Sequence, residues 1–212
     1  MEKKDLYEAV YMKLNKVTPL RKDCGLLCAR ACCQGSDHET LGMYLFPGEE
    51  IMFKNDKNAK AYFKIIQTEL RVSGESEKGQ AVLLLSCEGR CDRNLRPIAC
   101  RLFPLIPYLG EKNILRIKID PRARGIYPLV NTNDLKITTS LFRAEARKAS
   151  QLLAKDQEIR AFIKALSLLL DEYELDPLYF IRTPLISDQK NPIQKPRFTI
   201  RLNALSFQSR LT

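Results

Sequence analysis

The sequence predicts an α+β domain with helices concentrated in its last third. Apolar residues recur at helical spacing in residues 2–15 and again from about Thr138 to Leu170, a period typical of amphipathic helices. Residues 81–87 (AVLLLSC) and 113–120 (NILRIKID) have the apolar content or alternation of β-strands. A chain of 212 residues is long enough for one main domain with a real core.

The first half of the chain contains one clear element and two ambiguous ones. Residues 2–15 are predicted to form a short amphipathic helix that ends before Pro19. Its predicted apolar positions are Leu6, Val10, Met12 and Leu14. Residues 41–53 (LGMYLFPGEEIMF) are predicted to form an apolar strand or loop broken at Pro47-Gly48, and residues 58–71 a short helix or strand.

The second half has clearer signals. We predict that the strand at 81–87 is buried and ends at Cys87, and that a further strand covers 113–120. The long helical region should break near Asp156, because aspartate suits the N-cap of the segment that follows, QEIRAFIKALSLLL.

The end of the chain differs in composition from the rest. After Asp176-Pro177 prolines interrupt the sequence, and residues 197–203 (RFTIRLN) look like a lone strand. We therefore divide the chain into a main domain of residues 1–178 and a basic, proline-interrupted C-terminal extension of residues 179–212.

Composition and charge restrict the class of protein. Lys and Arg number 35 against 25 Asp and Glu, which gives a net charge of +10. No apolar run approaches the roughly 18 residues that span a bilayer, and the start, MEKKDLYEAVYMKLNKV, mixes charge where a signal peptide has an apolar region. We therefore expect a cytoplasmic protein with no membrane association; its oligomeric state is not indicated.

The seven cysteines form two dense groups, in DCGLLCARACC and in CEGRCDRNLRPIACRLFP. They are Cys24, Cys28, Cys32 and Cys33 in the first group, and Cys87, Cys91 and Cys100 in the second. Disulfides are not expected, since cytosolic thiols are kept reduced, the number is odd and a bond between the neighbours Cys32 and Cys33 would be strained. If the first segment is helical, its first three cysteines lie on one face, with adjacent Cβ atoms about 5 to 6 Å apart.

Such a sulfur-rich pattern points to a metal centre. Thiolates are soft ligands that favour zinc, copper(I) and iron–sulfur clusters. If the fold brings both groups together, they could close around a zinc ion or a [4Fe–4S] cluster. Seven thiolates exceed the need of one tetrahedral zinc ion, which favours iron, although two zinc ions, or one zinc with spare thiols, also fit. The alternative, seven buried thiols acting as small hydrophobic side chains, is disfavoured because the surroundings are polar and rich in glycine and arginine.

Common metal motifs do not match these spacings. A zinc ribbon needs paired C-x2-C knuckles, a C2H2 finger needs more than the single His38, and the bacterial ferredoxin order is absent. The C-x3-C-x2-C spacing of radical-SAM enzymes differs from the x3-then-x3 spacing here. We interpret His38, in GSDHET, as a solvated loop residue in preference to a nitrogen ligand.

Basic residues are concentrated beside the second cysteine group. Residues 90–124 contain nine Lys and Arg against three acidic residues. A centre held by several thiolates is net negative and needs donors and positive charge nearby. Arg96 and Arg101 are the candidates for that supporting role, and the alternative for the other arginines is a solvated surface.

The two motifs together resemble a known family. C-x3-C-x3-CC followed by C-x3-C-D-R-x2-R-P-x2-C-R-x-F-P is similar to the zinc- or iron-chelating family named for its CxxCxxCC motif, the YkgJ-like proteins. The likeness covers about residues 20–130 and implies that all seven cysteines are metal ligands. Many relatives have a cysteine at the position of Tyr127, which would account for the odd number here.

Three functional classes follow. The family is related to flagellin lysine N-methylases, which implies S-adenosylmethionine and a protein substrate by analogy only, since the chain lacks a glycine-rich strand-to-helix turn. The protein would thus be an enzyme, either an iron–sulfur oxidoreductase or a lysine methylase, or a protein that binds or senses zinc or iron without turnover. A zinc-binding domain that binds nucleic acid through the basic region 90–124 ranks last, because interleaved aromatic residues and a recognition helix are missing.

Overall fold

The structure is a computed structural model, and it describes residues 2–21, 41–53, 63–70, 80–87, 92–121, 123 and 135–175. Only the backbone is described at residues 41, 42, 68–70, 80, 87, 173 and 175. The predicted helix over the first cysteine group and the predicted strand at 197–203 lie outside these ranges.

Four α-helices and five strands are found in these ranges. The helices are α1 (Lys3–Asn15), α2 (Ile98–Leu102), α3 (Ser140–Leu153) and α4 (Gln157–Leu175). The strands are β1 (Leu41–Tyr44), β2 (Phe63–Leu70), β3 (Gln80–Cys87), β4 (Leu105–Leu109) and β5 (Leu115–Ile119). Short 3-10 turns cover Glu49–Met52, Arg93–Leu95 and Leu135–Ile137.

The strands form two small antiparallel sheets. One has the order β1-β3-β2, and the other pairs β4 with β5. In the first sheet the last residue of β3, Cys87, is opposite Leu41 on one side and Phe63 on the other. The architecture is therefore mixed helix and sheet, compatible with the predicted α+β class. The ambiguous segment 58–71 contains a strand, and the predicted strands at 81–87 and 113–120 are confirmed. The strand at 81–87 is less buried than predicted, since Ala81 is exposed and Leu83 and Leu84 are partly buried.

Helix α1 confirms the predicted helix but corrects its buried face. Met12 was expected to be in the core and is 68% exposed. Tyr7 and Tyr11 are buried instead, because their spacing puts them on the same face of the helix as Leu6, Val10 and Leu14. The amphipathic pattern was misread because a tyrosine can bury its ring if its hydroxyl finds a partner, and Tyr7 donates to the carbonyl of Pro47 at 2.8 Å.

The break in the C-terminal helical region is also confirmed. The side chain of Asp156 accepts from the backbone N–H of Ile159 at 3.0 Å, which satisfies one of the first N–H groups of α4. At the start of α3, Thr139 accepts from Phe142 N in the same way at 3.2 Å. Helix α4 continues to Leu175, five residues past the predicted end.

Strand β4 was not predicted, because a proline in its middle argues against a strand. Pro107 is opposite Ile117 of β5. The N–H of Leu109 points away from β5 and donates to Ser167 Oγ at 2.8 Å. The backbone groups of every second residue in a strand face the same side, so an N–H at Pro107 would also face away from β5. The proline therefore removes no hydrogen bond between β4 and β5.

The core lies between the helices and the two sheets. Helix α1 packs against α3, α3 against β5 and α4 against β4, and the buried side chains form one continuous cluster. The largest of them that are almost fully enclosed are Tyr7, Phe46, Phe142 and Phe162. None of the helices in the described ranges is both long and apolar enough to cross a membrane.

Candidate metal centre

The structure describes only part of the predicted ligand set. Cys24, Cys28, Cys32, Cys33, Cys91 and His38 lie outside the described residues. Cys87 is described by its backbone, at the end of β3. Cys100 is described in full, in the middle of the five-residue helix α2.

Cys100 is the least buried residue of its helix. Ile98, Ala99, Arg101 and Leu102 are buried, whereas Cys100 is partly buried. Cys100 is therefore more accessible than the other four residues of this helix, which is unlike a cysteine enclosed in the apolar core.

The described residues that flank the two cysteine segments contact one another. Leu41, the first described residue after the early group, pairs with Cys87 in the sheet. Val17, before that group, accepts through its carbonyl from the guanidinium of Arg93, two residues after Cys91. Cys87 and Arg93 are six residues apart, a span of at most about 20 Å. The described residues before and after the early cysteine segment, Val17 and Leu41, thus contact residues at the two ends of the stretch 87–93.

The loop between Cys91 and Cys100 is held by its own hydrogen bonds. Asp92 accepts from Asn94 N at 2.8 Å through its side chain, and it caps the turn Arg93–Leu95. Arg101 donates from Nε to the carbonyl of Arg96 at 2.7 Å and from Nη2 to that of Asn94 at 2.6 Å. The guanidinium of Arg101 therefore closes the loop that leads to Cys100.

Arg101 also ties the loop to α1. It is 3% exposed, donates to the side chain of Asn15, and its guanidinium carbon lies 4.4 Å from the ring centroid of Tyr11. Burial lowers the pKa of Arg101, but a guanidinium stays charged at neutral pH. Of the two arginines predicted to support the centre, Arg101 follows Cys100 directly in the chain and is buried, while Arg96 is partly buried and contributes its carbonyl.

Glu49, which was not predicted to be a site residue, is 0% exposed. Its carboxylate accepts three hydrogen bonds: from Tyr11 Oη at 2.6 Å, from Ile98 N at 2.7 Å and from Phe46 N at 2.9 Å. Burial raises the pKa of Glu49 to about 7, and the three hydrogen bonds and Arg101 act against that rise. An acidic pair after Pro-Gly is typical of an exposed turn, so no local signal marked Glu49 as a core residue.

Electrostatic coupling links Tyr11 to this cluster and to Cys100. Burial raises the pKa of Tyr11, the charge of Glu49 and its hydrogen bond raise it further, Arg101 lowers it, and the Cys100 thiol raises it. We name Tyr11, Glu49 and Arg101 the buried polar cluster; it lies between α1 and α2.

A metal site cannot be completed from the described residues. Among them, which include the side chain of one cysteine, no three Cys, His, Asp or Glu side chains are grouped to hold a metal ion. No family model, no curated protein and no solved structure matches the chain. The resemblance to the YkgJ-like family stays a prediction, carried by the spacing of the cysteines and by the Arg-Pro segment.

Proposed function

We propose that the protein binds a cysteine-ligated metal centre, either a [4Fe–4S] cluster or zinc, built from both cysteine segments. The observation that carries the proposal is the contact between their flanks, in which Leu41 pairs with Cys87 and Val17 accepts from Arg93. Two cysteine-rich segments whose described flanking residues contact each other are suited to supply ligands to one centre. The proposed ligands are Cys24, Cys28, Cys32, Cys33, Cys87, Cys91 and Cys100.

Cysteine thiolates are suitable ligands for both a zinc ion and a [4Fe–4S] cluster. Thiolates bind zinc and iron–sulfur clusters, and a negatively charged centre is stabilised by positive charge in a partly buried place. Arg101 supplies such a charge next to Cys100 and is 3% exposed. The seven thiolates exceed the four that either one zinc ion or one [4Fe–4S] cluster takes, so the absorption spectrum, and not the number of thiolates, distinguishes the two.

Anaerobic purification with elemental analysis and an absorption spectrum tests the proposal. A broad absorption band at about 400 nm would indicate an iron–sulfur cluster, and a colourless protein with bound zinc would indicate a zinc site. We expect Cys28→Ser and Cys100→Ser to lower the metal content, because each removes a ligand.

The neighbouring substitution Ala99→Ser is the matched control. It places a serine hydroxyl in the same helix while keeping every thiol, and it should retain the wild-type metal content. Full metal content in both cysteine variants would contradict the ligand assignment.

Activity is a separate question from binding. Turnover, or tight S-adenosylmethionine binding by the metal-loaded protein, would favour an oxidoreductase or a lysine methylase over a protein that only binds or senses metal. If the basic region 90–124 binds nucleic acid, the affinity should fall as the salt concentration rises, because binding releases counterions from the phosphates.

A further inference from the structure

We propose that Glu49 is a positioning residue of the metal centre: it holds the start of helix α2, and so the ligand Cys100, against α1. This inference rests on the proposed function. It concerns a residue outside both cysteine segments and outside the proposed ligand set.

The hydrogen bonds of Glu49 link three separate parts of the chain. Oε1 accepts from Tyr11 Oη in α1 and from Ile98 N at the start of α2. Oε2 accepts from Phe46 N, just after β1. One carboxylate has enough lone pairs to accept from all three donors at once.

The bond to Ile98 matters most for Cys100. The first N–H groups of a helix have no partner within the helix, and Pro97, the N-cap residue of α2, makes no side-chain cap. The carboxylate of Glu49 takes the place of that cap from a distant part of the chain. Because α2 has only five residues, a shift of Ile98 moves Cys100 with it.

Arg101 fixes the same loop from its other side. Its guanidinium holds the carbonyls of Asn94 and Arg96 and lies over the ring of Tyr11, whose hydroxyl donates to Glu49. The loop that leads to Cys100 is therefore fastened at two points, and both connect to Tyr11.

Glu49 does more than join α1 to the segment after β1. Tyr7 already joins α1 to the segment after β1 through a neutral hydrogen bond to Pro47 O at 2.8 Å. Burying a carboxylate is costly unless its partners are fixed. What Glu49 adds beyond the Tyr7 bond is the connection to α2.

The test compares metal release from full-length, metal-loaded variants. Glu49→Leu removes all three acceptor contacts at similar side-chain volume. Glu49→Gln retains one carbonyl oxygen but, in either orientation, turns an amide NH2 toward a donor. Tyr7→Phe is the matched control, because it removes a hydrogen bond between the same two parts of the chain and leaves the bond to Ile98 intact.

The readout is the rate at which the metal present after purification transfers to an added chelator, with the absorption spectrum of the loaded protein. We expect release from Glu49→Leu to be about 10 to 100 times faster than from wild type, as for other residues that orient metal ligands. Glu49→Gln should be faster by a smaller factor and should show an altered spectrum, while Tyr7→Phe should match wild type. If Glu49→Leu does not fold, the comparison of Glu49→Gln with Tyr7→Phe decides.

Two kinds of failure are distinguishable. If wild type purifies without metal, the proposed function is wrong and this inference with it. If wild type binds metal but Cys100→Ser keeps it at the wild-type release rate, Cys100 is not a ligand and this inference is overturned, while metal binding by the other cysteines stands. If wild type binds metal and Cys100→Ser loses it, but both Glu49 variants release metal like Tyr7→Phe, only the positioning role of Glu49 is overturned.

Discussion

At the scale of single residues, the molecule depends on two charged side chains in its core. Glu49 is 0% and Arg101 3% exposed, and each would be costly to bury without partners. Tyr11 contacts both, as a donor to Glu49 and as an aromatic face for Arg101. Removing any one of the three leaves another polar group unsatisfied, so the cluster behaves as a unit.

Glu49 makes stability depend on pH. Its pKa rises from 4.5 to about 7 on folding, so between these values the folded protein binds more protons than the unfolded chain. The free energy of unfolding should then decrease as pH rises through that window, by up to about 3 kcal/mol. Tyr11 and Arg101, which face Glu49, do not change charge there.

Urea denaturation of wild type and Glu49→Gln across this pH window checks the prediction. The variant should lose the pH dependence, because glutamine does not titrate. Glu158→Gln, which removes an exposed carboxyl, should keep the wild-type profile. Parallel profiles for wild type and Glu49→Gln would show that another group is responsible.

At the scale of elements, aromatic packing joins the first sheet to the C-terminal helix. Tyr44, Phe46 and Phe162 form a three-ring cluster with centroid separations of 5.6, 5.5 and 5.7 Å and tilted or edge-on geometry. Such arrangements suit the charge distribution of aromatic rings. They hold α4 against the chain that leaves β1, close to the segment that carries Glu49.

Loss of this cluster should be severe. Phe162 is 1% exposed, and we expect Phe162→Ala to lower the free energy of unfolding by about 3 to 5 kcal/mol, since it removes a large buried ring and leaves a cavity. Denaturant unfolding measures the change. Leu141→Ala is the control, because Leu141 is 61% exposed and should change stability by no more than about 0.5 kcal/mol; a similar loss in both variants would contradict the packing argument.

At the scale of the whole molecule, the apolar core and the proposed metal centre are distinct sources of stability. The core is formed by α1, α3, α4 and the sheets, and Cys100 is only partly buried beside it. Metal that binds the folded form stabilises it by mass action, while the apolar cluster does not depend on metal ligands.

Metal removal should therefore weaken the protein without abolishing its helices. We expect a chelator to lower the Tm of the loaded protein and to leave most of the helical circular dichroism signal at low temperature. Cys100→Ser should resemble the chelated wild type and respond less to the chelator. An unchanged Tm after complete metal removal would mean that the centre does not contribute to folding.

Local pattern was sufficient for much of the fold. The break at Asp156 and strand β5 followed from capping chemistry and alternation, because both depend on residues close in sequence. The pattern failed for Met12 and for β4, where the choice of buried face and the tolerance of Pro107 depended on the neighbouring elements. The assignment of the seven cysteines as ligands stays a prediction, which rests on their grouping in the sequence and on the resemblance to the YkgJ-like family.

By itself, the sequence determined the mixed helix-and-strand character of the chain and the concentration of sulfur in two segments, since composition, period and spacing are properties of neighbouring residues. Only the tertiary structure decided that Val17 lies beside Arg93, that Leu41 pairs with Cys87, and that Glu49 is a buried link to α2. These contacts join residues far apart in the chain, and they form because burial of the common core brings their elements together.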